Sequence, residues 1–211
     1  QLALAKQFAV DNTYDWYHPP MTHNSALASG YVGKVHWSHL EHVVSLGEYG
    51  HVISGPRMTA EMRHAAAEDL KETTVLLRED ESWRDRPDVQ EDLGVFGADQ
   101  RGHPGIFPNL WVASSATQLC LRLPRGPGVT ELWWFTLLPD EMSADERHDA
   151  LSRANHFFGP AGIFEQDDGE NWDQGMRACQ GEIGGRFPMN VAMNLGRGEI
   201  KKDADSGIAY I

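Results

Sequence analysis

Between Thr59 and Leu77 the apolar residues Met62, Ala66, Leu70 and Leu77 recur at helical intervals among charged neighbours, which predicts an amphipathic helix over residues 59–77. Another helix is framed at both ends. Ser143 followed by Glu146 is a capping box, and Gly159-Pro160 stops the helix after Phe158. The chain re-enters at Gly162, and a further helix starts near Phe164. Strand-like runs fall at residues 106–112, 118–123 and 130–138, the last two joined by Pro124-Arg125-Gly126-Pro127-Gly128. Residues 30–56 also alternate as strand, and residues 79–105, charged and rich in Pro, Asp and Gly, read as a long surface loop. Together these predict an α+β fold, an antiparallel sheet with packed helices.

Residues 1–27 read as a broken helical region and carry the densest chemistry, Asp15-Trp16-Tyr17-His18-Pro19-Pro20-Met21-Thr22-His23. Two imidazoles with one carboxylate can hold a metal such as non-haem Fe(II) on one face and leave the other face open. On a regular helix a spacing of five separates His18 and His23 by about 140°. The expected remedy is Pro19-Pro20, which removes two amides from the helical ladder and lets the rings converge across a kink. Asp15, three residues before His18, can accept a proton from the ring nitrogen that a metal does not use, so it reads as an orienter of His18. The carboxylate ligand itself is open at this level. The run Glu165-Gln166-Asp167-Asp168-Gly169-Glu170 offers four candidates. His36, His39 and His42 also recur at intervals of three, but no carboxylate pattern accompanies them.

Composition narrows the function classes. In 211 residues, 41% hydrophobic, no apolar run approaches the roughly 18 residues of a membrane span. Thirty-one acidic against 18 basic residues give a formal charge of -13, which would repel a phosphate backbone, so nucleic acid is not an expected partner. The two cysteines, Cys120 and Cys179, are too few for a disulfide framework. With opening residues that read as neither signal nor transit peptide, the expected location is the cytoplasm.

The stretch from Asp15 to Ser25 resembles the mononuclear-iron motif of the Rieske non-haem iron aromatic-ring-hydroxylating dioxygenase α subunits, of the biphenyl and naphthalene type. The segment Gly162-Ile163-Phe164-Glu165-Gln166-Asp167-Asp168-Gly169-Glu170-Asn171-Trp172 is similar to the one that carries the third iron ligand there. Phe107-Pro108-Asn109, Leu123-Pro124-Arg125-Gly126-Pro127 and Glu131-Leu132-Trp133-Trp134-Phe135 add to the resemblance in the same order.

This resemblance implies a helix-grip (START-like) catalytic domain over residues 1–211, with His18, His23 and Asp168 as Fe(II) ligands. Asp15 would be the catalytic aspartate bridging toward the electron donor, and Trp16, Phe158 and Phe164 would line the substrate pocket. Where the family has an amide four residues before the bridging aspartate, this chain has Asp11, followed by Asn12. The implied activity is O2-dependent cis-dihydroxylation of an aromatic hydrocarbon. NADH would be the ultimate donor, through a reductase and ferredoxin, in an α3 or α3β3 oligomer. Neither cysteine lies in a Cys-x-His or Cys-x-x-His pair, so the [2Fe-2S] Rieske cluster of the family is expected in an N-terminal domain outside this chain. The chain reads as a fragment of a larger subunit, truncated at both ends. Two other classes use similar parts: a non-catalytic hydrophobic-ligand-binding helix-grip module, and a zinc hydrolase with water in the fourth position.

Overall fold

Along residues 118–123 burial alternates, with Gln118, Cys120 and Arg122 buried and Leu119, Leu121 and Leu123 half-buried, the period of a strand with two unlike faces. The computed structural model describes residues 12–16, 18–29, 41–69, 81–187, 201–202 and 209–210. Its strands are β1 (His42–Leu46), β2 (Val52–Pro56), β3 (His103–Ile106), β4 (Leu110–Ala113), β5 (Gln118–Gly126), β6 (Val129–Thr136), β7 (Lys201–Lys202) and β8 (Ala209–Tyr210). They form one sheet in the order β6-β5-β4-β3-β2-β1-β8-β7, every pair antiparallel. The helices are α1 (Pro19–Thr22), α2 (Asn24–Ala28), α3 (Ala60–Asp69), α4 (Pro87–Asp99), α5 (Ala144–Phe157) and α6 (Ile163–Gln180).

Register puts Trp111, Cys120 and Trp134 side by side on one face. The corner between α5 and α6 packs there. Ala26, Trp111, Ala113, Ala116, Cys120, Phe158 and Phe164 make the core cluster, with Leu132, Trp134, Phe157 and Ile163 against it. Phe158 stacks on Trp134 at 5.1 Å and meets Trp111 edge-on at 5.0 Å, each contact worth about 0.5–1.5 kcal/mol beyond burial. The opposite face of β6 leaves Trp133 and Phe135 exposed.

The α5 prediction holds closely. Ser143 caps Glu146 N–H while Glu146 accepts from the Ser143 backbone, and the helix ends at Phe157. Four expectations need correction. Residues 79–105 are not a loop, since they contain α4 and the start of β3. Arg63 and Arg84 are buried there and donate to the carbonyls of Met58, Ala98 and Gln100, and α4 is interrupted at Gly94 (φ 65°), so a packed segment carries the composition of a loop. The run 106–112 is broken by a turn between β3 and β4. The turn between β5 and β6 is shorter than expected, because both strands continue into the Pro/Gly-rich stretch. Finally, Pro19 and Pro20 open a helix instead of kinking one: they occupy the first turn of α1, where a missing amide costs nothing, and His18 is itself αR. The break lies one turn later, at His23 (φ -94°, ψ 29°), between α1 and α2. Of the helix expected over 59–77, α3 covers the first part, while Leu70 and Leu77 lie outside the described residues, as do His36 and His39. No described helix is long and apolar enough to cross a membrane.

Candidate metal centre

The arm that carries the first histidine is pinned to the sheet by small residues. Ser54 on β2 donates its hydroxyl to the Thr13 carbonyl at 2.5 Å and accepts the Trp16 indole N–H at 3.1 Å. Gly105 on β3 makes room for Tyr14, whose ring would lie 3.0 Å from any Cβ placed there. Trp16 stacks on His103 with centroids 5.3 Å apart. Residues 12–16 are therefore held without regular secondary structure, and Asp15 reaches His18 through a turn, not along a helix face.

The second half of the site comes from α6. Phe164, Asp168, Trp172 and Met176 lie four apart and face inward or partly inward, because steps of four drift only about 40° around a helix. Asp168 thus takes a core position in an otherwise apolar stripe. Its Oδ1 lies 3.8 Å from His18 Nε2 and 3.4 Å from His23 Nε2. Among the described residues these three form the group able to hold a metal, their ligand atoms all within 4.8 Å of one another. Ligands held cis at about 2.1 Å from one ion sit about 3 Å apart, so the donor set fits a small divalent cation once the three side chains draw together.

His18 and Asp168 are also held by hydrogen bonds from outside the cluster, and His23 is faced by a carboxylate. His18 Nδ1 faces both the Asp15 carboxylate and, at 2.6 Å, the Asp15 carbonyl, which turns its Nε2 toward Asp168. Asn12 Nδ2 donates to Asp168 Oδ1 at 3.0 Å. Asp167 Oδ2 lies 3.6 Å from His23 Nδ1 and accepts a hydrogen bond from Ser25 Oγ at 2.6 Å.

Burial sets the electrostatics. It pushes the Asp168 carboxyl up to about 7, with the His18 and Arg122 charges opposing, and drives His23 down to about 4, with His18 adding to the effect. His18 stays above its ordinary value: burial opposes its charge, but the Asp15 hydrogen bond and the charges of Asp15 and Asp168 outweigh it. Glu165, one turn before Asp168, is pushed up to about 8 by burial and by Asp168. A divalent cation would compensate a buried carboxylate that is costly to ionise beside an imidazole that resists a proton.

The structure brings His18, His23, Asp168 and Asp15 together. The three aromatic candidates adjoin them as a chain of rings. Phe164 meets His23 edge-on at 4.7 Å, Phe158 lies 5.8 Å from Phe164, and Trp16 connects through His103, itself 6.3 Å from Phe158. Phe158 and Phe164 are at the same time core residues, 6% and 5% exposed. His42 lies on β1 beside Trp16, at 6.3 Å. The sequence reading named Asn12 and Asp167 without the roles seen here and did not name His103. Of these only Asp167 had a signal, its place beside Asp168 on a helix whose inward stripe is readable.

The sequence pattern of the ring hydroxylating α subunit catalytic domain matches residues 7–192, a stretch that includes all the residues of this centre. The chain is 30% identical over 142 residues to the biphenyl 2,3-dioxygenase α subunit of Rhodococcus jostii (strain RHA1), covering 62% of this chain and 30% of that subunit. It is 28% identical over 121 residues to the chlorobenzene dioxygenase α subunit of Cupriavidus sp. (strain PS12), covering 54% and 27%. Among solved structures, a naphthalene 1,2-dioxygenase variant bound to phenanthrene superposes with a TM-score of 0.69 at 19% identity, covering 99% of this chain and 47% of that one. Naphthalene 1,2-dioxygenase from Rhodococcus sp. bound to indole gives 0.64 at 24% identity, covering 97% and 48%. The antiparallel sheet with its helices is thus the helix-grip fold of those catalytic domains. The chain spans less than a third of the length of these curated relatives and about half of these solved chains.

Proposed function

The chain belongs to the family of ring-hydroxylating α subunits, within their catalytic domain, and from that premise we propose that it is the mononuclear-iron part of an oxygenase acting on an aromatic hydrocarbon. The observation that carries this reading is the convergence of His18 Nε2, His23 Nε2 and Asp168 Oδ1, with His23 and Asp168 buried and His18 half-buried. These three side chains would hold Fe(II), which when bound supplies O2 activation for adding both oxygen atoms to neighbouring ring carbons as a cis-diol.

The protein's own residues prepare that chemistry. Asp15 keeps the proton of His18 on Nδ1, so that Nε2 offers its lone pair. Asn12 holds Asp168 Oδ1 and fixes the carboxylate against rotation. Phe164 beside His23, Phe158 next to it and Trp16, reached through His103, would make the apolar side of the site, suited to orienting a flat arene. Substitution of Phe164 or Phe158 by Leu should shift the ratio of diol regioisomers more than it changes iron content. The biphenyl and chlorobenzene dioxygenase names of the relatives support an aromatic hydrocarbon as substrate. The electrons would come from NADH through a reductase and ferredoxin to a Rieske [2Fe-2S] cluster elsewhere in the full subunit, with Asp15 as the link to His18, in an α3 or α3β3 oligomer.

A single turnover of the prereduced full-length protein with an arene under 18O2 tests the reading. A cis-diol carrying both labelled atoms is expected. An unaltered arene, a singly labelled product, or hydrolase activity supported by zinc in place of iron would overturn it.

A further inference from the structure

The second histidine of the centre has a partner that no reading of the ligand set requires. His23 Nδ1 is buried and has no hydrogen-bond partner among the described residues. The polar group that faces it is the Asp167 carboxylate, whose Oδ2 lies 3.6 Å away, just beyond hydrogen-bond length. That same oxygen is held by Ser25 Oγ at 2.6 Å. Ser25 belongs to α2, which begins directly after His23, so the helix following the histidine fixes the carboxylate that faces its ring. Consecutive residues on a helix point about 100° apart. While Asp168 enters the ligand cluster, Asp167 is directed to the side of His23 away from it.

We propose that Asp167 is a positioning residue for His23, accepting a hydrogen bond from Nδ1–H so that Nε2 presents its lone pair to the metal. This inference rests on the ligand assignment above and extends it. The centre then has one carboxylate behind each imidazole, Asp15 behind His18 and Asp167 behind His23. The two are built differently. Asp15 sits three residues before its histidine in the same turn, whereas Asp167 comes from a helix 144 residues later and depends on Ser25. The run Asp167-Asp168 is thereby divided between two tasks, and exchanging them is not conservative. A merely structural alternative is that Asp167 docks α6 onto α2 through Ser25. The structure supplies a control for it: four residues along α6, Asn171 Nδ2 donates to Thr22 Oγ1 at 3.2 Å, tying α6 to α1.

The test is anaerobic Fe(II) titration of the full-length subunit against a competing chelator, with the electron paramagnetic resonance spectrum of the ferrous nitrosyl adduct as a report on ligand geometry. Asp167→Ala should weaken Fe(II) binding by about 10- to 100-fold and alter the nitrosyl signal. Asp167→Asn, which keeps an oxygen acceptor, should restore binding to within a few-fold of wild type, and Asn171→Ala should behave as wild type. Should Asp167→Ala fold poorly, Asp167→Ser repeats the test with a hydroxyl too short to reach the ring, and the same loss is expected. Wild-type affinity and signal in the folded Ala or Ser variant would overturn the proposal, as would an equal loss in Asn171→Ala. His23→Ala is measured alongside: if it loses iron while the Asp167 variants keep it, only the positioning role fails, and if it retains iron, the ligand assignment itself fails.

Discussion

Replacing Asp15 by Asn separates two roles of one carboxylate. His18 Nδ1 has two acceptors within reach, the Asp15 side chain and the Asp15 carbonyl at 2.6 Å. An amide side chain removes the negative charge but leaves the carbonyl in place, so the imidazole keeps its orientation and its tautomer. Changes behind a metal ligand usually cost 10- to 100-fold in affinity. With the carbonyl retained, the lower end applies, about 10-fold in Fe(II) affinity or about 1.4 kcal/mol. If Asp15 also links the centre to the donor cluster, electron delivery should fall far more than iron binding. The assay pairs anaerobic Fe(II) titration with stopped-flow measurement of cluster reoxidation and product on the prereduced full-length Asp15→Asn oligomer. An affinity loss well beyond 100-fold would refute the two-acceptor argument, and reoxidation at the wild-type rate would leave Asp15 as an orienter of His18 only.

Two further outcomes follow from the packing around the site. A Cβ on Gly162 would lie 2.6 Å from the Phe157 carbonyl oxygen and from Phe158 backbone atoms, so Gly162→Ala should cost about 1–3 kcal/mol and lower Tm; Gly126→Ala, with nothing within 4 Å, is the control, and equal Tm values for the two would contradict this. His103 is driven down to about 3, mainly by burial, with Arg101 and His18 adding. Between that value and its ordinary value near 6.5 the unfolded chain binds the extra proton, so the stabilisation is complete above about pH 6.5 and is lost on acidification toward pH 3. Urea unfolding of the metal-free protein at pH 7 and pH 5 should show wild type losing about 2 kcal/mol more than His103→Leu; parallel losses would contradict the assignment.

The sequence carried the sheet and the capped helix α5 because their signals are local: alternation in β5 and β6, and Ser143 with Glu146. It could not place α4, since buried arginines bound to backbone carbonyls read as surface charge and Gly94 (φ 65°) interrupts the helical pattern. Pro19-Pro20 misled for a related reason, as two prolines fit the first turn of a helix as well as they break an interior one. Within the centre, side-chain chemistry singled out His18, His23 and Asp15, but the way the two rings converge was not legible, since the break falls at His23 and not at the prolines. Choosing Asp168 among four carboxylates rested on the family resemblance, and the spacing of Phe164, Asp168, Trp172 and Met176 is a local signal that puts Asp168 on the inward face of its helix. Asn12 and Asp167 act across more than 140 residues of chain, and only the fold brings those partners together.

The most direct measurement is anomalous diffraction at the iron edge from crystals of the full-length protein loaded anaerobically with Fe(II). A single mononuclear peak bounded by His18 Nε2, His23 Nε2 and the Asp168 carboxylate, with Asp167 outside its coordination, is the result expected. A peak bound by Asp167 in place of Asp168, or mononuclear iron only at some other site, would contradict the account.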